Sequence, residues 1–197
     1  MAHLDVNEHA VRTVGSGVMP FAEPGADDIL CQVLADGSLD VTTDPTVVSR
    51  AANVVVVIGT PIDEHLNPDL NAVQGAIEEI AASLVDGQLL VLRSTVYPGV
   101  TAMVERLVEG LALDVGVAFC PERIAEGRAM VELFELPQIV SSRNSDALDR
   151  ATKLFGHLTA EVVYLEPEEA ELAKLFTNTW RYIKFATANQ LFMMAND

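Results

Sequence analysis

Three short, almost continuously apolar runs constrain the fold of this chain more than any other feature. Residues 53–60, 88–95 and 115–120 are rich in valine, isoleucine and leucine. Such runs, without alternation of polar residues, are typical of strands that are covered on both faces in a parallel sheet. Weaker copies of the pattern occur at residues 39–42, 138–142 and 161–165.

Helical patterns separate these runs. Residues 69–85 carry apolar side chains three and four positions apart, and Gly87 follows as a helix stop. Residues 98–111 and 144–158 behave similarly, and Asp44 before Pro45 is typical of a helix start. Alternating strands and helices imply right-handed crossovers, so we predict an α/β fold with a doubly wound, mainly parallel sheet.

The last segment of the chain differs from the rest. Residues 168–197 contain neither glycine nor proline, and helix-forming residues dominate. A helix of this length would span about 45 Å at 1.5 Å per residue, which is too long for an ordinary crossover. We therefore predict a long helix that leaves the sheet.

The charge of the chain limits its partners. There are 12 Lys+Arg against 29 Asp+Glu, a formal net charge of −17. A nucleic acid or an anionic membrane surface is therefore not expected to bind the chain, and a bound phosphate would need local donors. The apolar runs are too short to span a membrane, and no signal peptide is recognisable.

The two cysteines, Cys31 and Cys120, are far apart in sequence and belong to no CxxC motif or histidine cluster. A disulfide framework and a metal site are therefore not expected, and a reducing, cytoplasmic setting fits best. Cys120 lies at a junction of strand and loop, and we interpret it as a packing residue.

Polar and turn-forming residues follow each of the three main strands. They are Thr60 and Pro61, then Ser94 and Thr95, then Pro121, Glu122 and Glu126. Ligands of open parallel sheets bind outside the carboxyl ends of the strands, although any one of these segments could be ordinary turn chemistry. Three consecutive strand ends of this kind favour a binding site.

The long helix adds a second polar group. Lys174, Asn178 and Arg181 are spaced four and then three residues apart, so they share one helix face. A solvated stripe would have the same spacing. Alternatively, a lysine and an amide in register can stabilise a developing oxyanion.

Four ordered motifs carry a family resemblance: VVIGTPI at 56–62, RSTVYPGVTA at 93–102, CPERIAEG at 120–127 and ELAKLFTNTWRY at 171–182. With these motifs the chain resembles, over nearly its whole length, the UDP-glucose/GDP-mannose dehydrogenases. These are NAD-dependent Rossmann-fold enzymes that oxidise a nucleotide-sugar alcohol to the carboxylate. The CPER motif, together with Arg181, is more similar to the N-acetylmannosamine or N-acetylglucosamine branch than to the UDP-glucose branch.

The resemblance implies a role for five residues around NAD. Asp5, at the end of a strand, would accept the hydroxyl groups of the adenosine ribose. Thr60 and Pro61 would line the cofactor groove, and Glu126 would lie nearer the nicotinamide. Thr95 would hold a catalytic water molecule beside the cofactor.

The same resemblance assigns residues to the nucleotide-sugar substrate. Glu122 would contact the sugar and assist as a general base. Lys174 and Asn178 would stabilise the oxyanion and position water, while Arg123 and Arg181 would contact the substrate.

The resemblance also implies features that residues 1–197 do not contain. These are a GxGxxG turn, a cysteine on a glycine-rich loop and a nucleotide-sugar-binding domain. Residues 1–166 would thus be an NAD-binding domain without its first strand and glycine-rich turn, and residues 167–197 would begin the central dimerisation helix. We expect no turnover by this chain alone, because the family's thiol intermediate would have no cysteine.

Two alternatives concern the role and assembly of the chain. The first is a non-catalytic α/β module that uses the exposed helix for association. For assembly we expect a homodimer that buries residues 183–194 between chains, since an exposed apolar patch tends to find a partner. The alternative is a monomer with a frayed last helix.

Overall fold

The structure is a computed structural model that describes residues 1–59, 71–125 and 127–196. Its strands are β1 (Ala2–Leu4), β2 (Asp40–Thr42), β3 (Asn53–Val56), β4 (Gln88–Leu92), β5 (Val115–Phe119), β6 (Gln138–Val140) and β7 (Val162–Tyr164). Its α-helices are α1 (Glu8–Gly15), α2 (Ala26–Ala35), α3 (Ala72–Ile80), α4 (Val100–Gly110), α5 (Ala129–Glu135), α6 (Ser145–Phe155) and α7 (Pro167–Asn196). Short 3₁₀ helices cover Pro45–Arg50 and Ala81–Ser83.

The strands pair in parallel, as predicted. They form a β1–β2 pair, a β3–β4–β5 sheet and a β6–β7 pair. An antiparallel bridge between Phe119 and Ser141 joins the second group to the third, through N–H···O bonds of 2.9 and 3.1 Å. The predicted α/β fold with a mainly parallel, Rossmann-like sheet is therefore confirmed.

Polar side chains fix where several helices begin. Asn7 accepts from His9 N at 2.9 Å at the start of α1, and Asn144 accepts from Ala147 N at 3.0 Å at the start of α6. Asp44 caps a helix at the predicted place, but that helix is of the 3₁₀ type.

The core lies on both sides of β4, all five residues of which are buried. On one face, Leu90 and Leu92 pack against α3 and α4, and on the other Leu89 and Val91 pack against α6. Gly116 permits the close approach of α6, because a Cβ atom there would lie 2.9 Å from Cβ of Ala147. Strand β4 is thus covered on both faces, as its sequence predicts.

For β3 the same prediction is wrong. Val54 and Val56 pack towards α3 and α4, whereas Val55 and Val57 are 45% and 74% exposed. The reason is that α6 packs on β4 and β5, and its residues are not part of the cluster that contacts β3. Among the described residues, β3 pairs with β4 only.

The predicted long helix is present as α7, which has 30 residues. Its buried residues, Pro167, Ala170, Glu171 and Lys174, all lie in its first turns, and residues 182–196 are exposed throughout. Within residues 1–59, 71–125 and 127–196, no helix combines the length and apolar character needed to cross a membrane.

Candidate functional site

The ends of β3 and β4 are tied together at the predicted rim of the sheet. The backbone N–H of Ile58 donates to Oγ of Ser94 at 2.6 Å. Thr95, the next residue, is half-buried beside this contact. The predicted cofactor residues Thr60, Pro61 and Glu126 lie outside the described residues.

Both oxygens of the Glu122 carboxylate accept hydrogen bonds from other residues of the chain. Its Oε1 accepts from the backbone N–H groups of Arg123, at 2.6 Å, and Ile124, at 2.9 Å. Its Oε2 accepts from the guanidinium of Arg93, with which it forms an ion pair. The carboxylate of Glu122 therefore shapes its own loop in this conformation.

Arg93 is the residue on which this arrangement depends. Besides Glu122, it donates to the carbonyl of Cys120 at 3.0 Å and to Oε1 of Gln138 at 3.4 Å. Its guanidinium also lies 4.6 Å from the ring centroid of Phe155 on α6. Sequence reasoning included Arg93 in a motif but gave it no role. The available signal was a charged residue directly after four consecutive apolar residues, 89–92.

Helix α7 brings Lys174 to the same loop. The ammonium group is nearly buried and donates to the backbone carbonyl of Glu122. Burial lowers the pKa of Lys174; Glu122 opposes that shift, while Arg181, Arg123 and Arg93 reinforce it. Lys174 therefore loses its proton at a lower pH than an ordinary lysine.

Of the predicted stripe on α7, two residues reach the loop and one does not. Arg181 donates to the carbonyl of Arg123 at 3.0 Å, while Asn178 is exposed. Arg123 in turn donates to the carbonyl of Pro137 at 3.1 Å, and its buried Nε has no hydrogen-bond partner among the described residues.

The resulting site concentrates positive charge in an acidic protein. Arg93, Arg123, Lys174 and Arg181 lie together around Glu122 and its loop, in a chain of net charge −17. Cations fixed in a partly desolvated place stabilise negative charge far better than cations in water. The arrangement therefore suits an anionic ligand or an oxyanion that develops during a reaction.

Asp5 stands apart from this cluster, at the carboxyl end of β1. Its Oδ1 accepts from the backbone N–H of Asn7 at 2.8 Å, and its side chain is 34% exposed. Oδ2 lies 3.9 Å from Nε2 of His3. A partly exposed carboxylate at a strand end fits the hydroxyl groups of a ribose, so this residue suits the adenosine end of NAD.

Two buried glutamates that sequence reasoning missed connect the site to the rest of the chain. Glu23, between α1 and α2, accepts from the backbone N–H of Gly127 at 2.9 Å and so holds the far end of the 120–127 loop. Gly127 has a φ of 78°, which favours glycine. Glu171, on α7, accepts from the start of α4. In the sequence, the available signal for both residues was an acidic side chain directly beside apolar residues.

Cys120 is a packing residue, as interpreted from the sequence. It has no exposed surface, lies in the cluster between the sheet and α6, and burial raises the pKa of its thiol to about 12. Such a thiol is a poor nucleophile, because the thiolate is the reactive form. In the parts of the chain that the structure describes, no His, Cys, Asp and Glu residues gather as a metal site.

The sequence of this chain is similar to those of known dehydrogenases. The UDP-glucose/GDP-mannose dehydrogenase family, NAD binding domain, matches residues 1–159. The UDP-N-acetyl-D-mannosamine dehydrogenase of Yersinia pestis is 31% identical, over 98% of this chain and 49% of its own length. The one from Pyrococcus horikoshii is 32% identical, over 98% of this chain and 47% of its own length. The chain thus spans about half the length of these relatives.

Solved structures agree with the sequence relatives. The UDP-D-ManNAc dehydrogenase of Pyrococcus horikoshii superposes with a TM-score of 0.89 at 30% identity, covering 98% of this chain and 48% of that one. A ternary complex of GDP-mannose dehydrogenase from Pseudomonas aeruginosa gives 0.87 at 26% identity, over 95% and 46%. The chain therefore belongs to the UDP-glucose/GDP-mannose dehydrogenase family, and its matched region is the family's NAD-binding domain.

Proposed function

We propose that this chain is part of an NAD-dependent nucleotide-sugar dehydrogenase that oxidises the C6 alcohol of a UDP-sugar to the carboxylate. Residues 1–166 would bind NAD, and residues 167–197 would begin the central helix. The observation that carries the proposal is the meeting of Lys174, from α7, with the backbone of Glu122 at the end of β5. The N-acetylmannosamine or N-acetylglucosamine class of substrate is supported by the relatives' names and by Arg123 and Arg181 at the site.

The predicted site residues would have different roles in this reaction. NAD, when bound, supplies hydride acceptance: each NAD molecule takes one hydride, so oxidation of the alcohol to the carboxylate would use two of them in turn. Lys174 would stabilise negative charge on the substrate oxygen, and Asn178, one turn further along α7, would position water. Thr95 would hold a water molecule beside the cofactor. Thr60 and Pro61 would line the cofactor groove, and Glu126 would lie nearer the nicotinamide.

Glu122 would contact the sugar and assist as a general base. Its hydrogen bond with Arg93 orients the carboxylate, which keeps acceptor capacity for a further contact. Catalysis in the family proceeds through a cysteine thiol, for which the buried Cys120 is unsuited. We therefore expect no NADH formation by this chain alone.

Two further properties belong to the proposal. The exposed apolar end of α7 supports a homodimer formed through residues 183–194. The free cysteines Cys31 and Cys120 support a cytoplasmic location, since reducing compartments keep thiols free.

Ligand-observed NMR with NAD and NADP tests the cofactor assignment. We expect weak NAD binding, with a Kd well above about 1 μM, which corresponds to about −8 kcal/mol. NADP should bind more weakly still, because Asp5 repels a 2′-phosphate. The substitution Asp5→Asn should reduce this difference between the two nucleotides.

The substitution Asp149→Asn on α6 is the matched control, since it removes the same charge from an exposed position. It should leave the preference for NAD unchanged. Equal binding of NAD and NADP by the unmodified chain would contradict the proposed role of Asp5, and micromolar NAD affinity would contradict the expected weak binding.

A further inference from the structure

Glu171 is a fully buried carboxylate whose bonds all go to another helix. Its Oε2 accepts from the backbone N–H of Gly99 at 2.6 Å. Its Oε1 accepts from the backbone N–H of Thr101 at 2.8 Å and from the hydroxyl of Thr101 at 2.6 Å. Two residues at the start of α4 are therefore bound by one side chain of α7.

Helix α4 needs such a partner. It begins after Gly99, which has a φ of 100° and no side chain that could cap the helix. The first N–H groups of a helix have no partner within it, and a negative charge is favourable at this end. Glu171 meets both needs, so the contact is strong although it joins residues 70 or more positions apart.

The same side chain fixes where α7 lies along the sheet. Glu171 and Lys174 are three residues apart, so they are neighbours on one helix face. A slip of α7 by one residue would move Lys174 by about 1.5 Å along the axis and turn it by about 100°. Such a slip would break the contact of Lys174 with the carbonyl of Glu122.

The ion pairs that link the two helices are more exposed. Arg143 forms ion pairs with Glu105 on α4 and Glu168 on α7, but its side chain is 38% exposed. Exposed ion pairs of this kind contribute little to stability. Glu171, by contrast, has no exposed surface.

We propose that Glu171 is a positioning residue, which holds α7 in the register that places Lys174 against the backbone of Glu122. Its importance for catalysis rests on the proposed function, whereas its effect on the position of Lys174 does not. The β4–α4 segment, which carries Thr95, is held by the same contact, so one carboxylate would align two sides of the site.

The three lysines of the chain make the proposal measurable. Lys174 is buried, whereas Lys153 and Lys184 are exposed. Acetylation of the native chain by acetic anhydride, followed by mass spectrometry, gives a rate for each lysine. In the unmodified chain, Lys174 should react more slowly than Lys153. In Glu171→Gln, the rate at Lys174 should rise about tenfold, the effect of losing one charged hydrogen bond, with Lys153 unchanged.

Glutamine has nearly the volume of glutamate, which separates positioning from space-filling. If Glu171 only fills space, Glu171→Gln keeps Lys174 protected, and the proposal is overturned. The control Glu109→Gln removes the same charge from an exposed position on α4 and should change no rate.

A second variant covers the case in which Glu171→Gln fails to fold. Thr101→Val removes only the hydroxyl donor and keeps both backbone bonds. A faster reaction at Lys174 in a chain with native circular dichroism supports the proposal, and an unchanged rate overturns it. Because acetylation does not depend on NAD, failure here and failure of cofactor binding are distinguishable.

Discussion

Replacing Arg93 by methionine is expected to lower the free energy of unfolding by about 3–5 kcal/mol, the usual cost of removing one partner of a buried ion pair. The change leaves the carboxylate of Glu122 without its cation. It also leaves the carbonyl of Cys120 and the amide of Gln138 without a donor. Urea denaturation followed by circular dichroism measures the loss.

Arg143→Met is the matched control for this prediction. Arg143 bridges two carboxylates, but its side chain is 38% exposed, compared with 10% for the side chain of Arg93. Its loss should cost less than about 1 kcal/mol. A double variant, Arg93→Met with Glu122→Gln, should recover part of the loss, because no unpaired charge remains. Equal effects of Arg93→Met and Arg143→Met would contradict the buried ion-pair network.

The sheet could be predicted from sequence because its signal is local. The runs at β4 and β5 are almost continuously apolar, and apolar side chains recur every three to four residues in the helices. These patterns depend on neighbours in the chain and not on distant partners. The same reasoning failed at β3, where Val55 and Val57 are exposed. A run of valines does not indicate whether a helix packs on each face of the strand.

The site was predictable only in outline. The rule that ligands bind at the carboxyl ends of strands pointed to Thr95 and Glu122, and helical spacing pointed to Lys174 and Arg181. The direction of each side chain was not predictable. Glu122 turns inward because its carboxylate pairs with Arg93. Arg93 follows the neighbouring strand β4 and lies 29 residues earlier in the chain. Such pairs depend on the register between strands, which no single motif specifies.

The last turns of helix α7 carry large apolar side chains that are exposed to solvent. Phe185, Leu191, Phe192, Met193 and Met194 are each more than half exposed. A helix that is apolar on several sides is normally buried, and an isolated helix of about 12–15 residues is only marginally stable in water. Residues 182–196 therefore need a partner surface if they are to remain helical.

The predicted homodimer would provide that surface, and Phe192→Asp should abolish it. A two-fold dimer is the simplest closed assembly, and every substitution acts twice in it. If Phe192 is a central contact worth about 2 kcal/mol per chain, its loss weakens dimerisation about a thousandfold. Sedimentation velocity at micromolar concentration should then show a monomer in place of a dimer. Phe134→Asp, the same change at an exposed phenylalanine of α5, should leave the dimer intact. A monomeric unmodified chain, or a dimer that survives Phe192→Asp, would remove the dimer from the proposal.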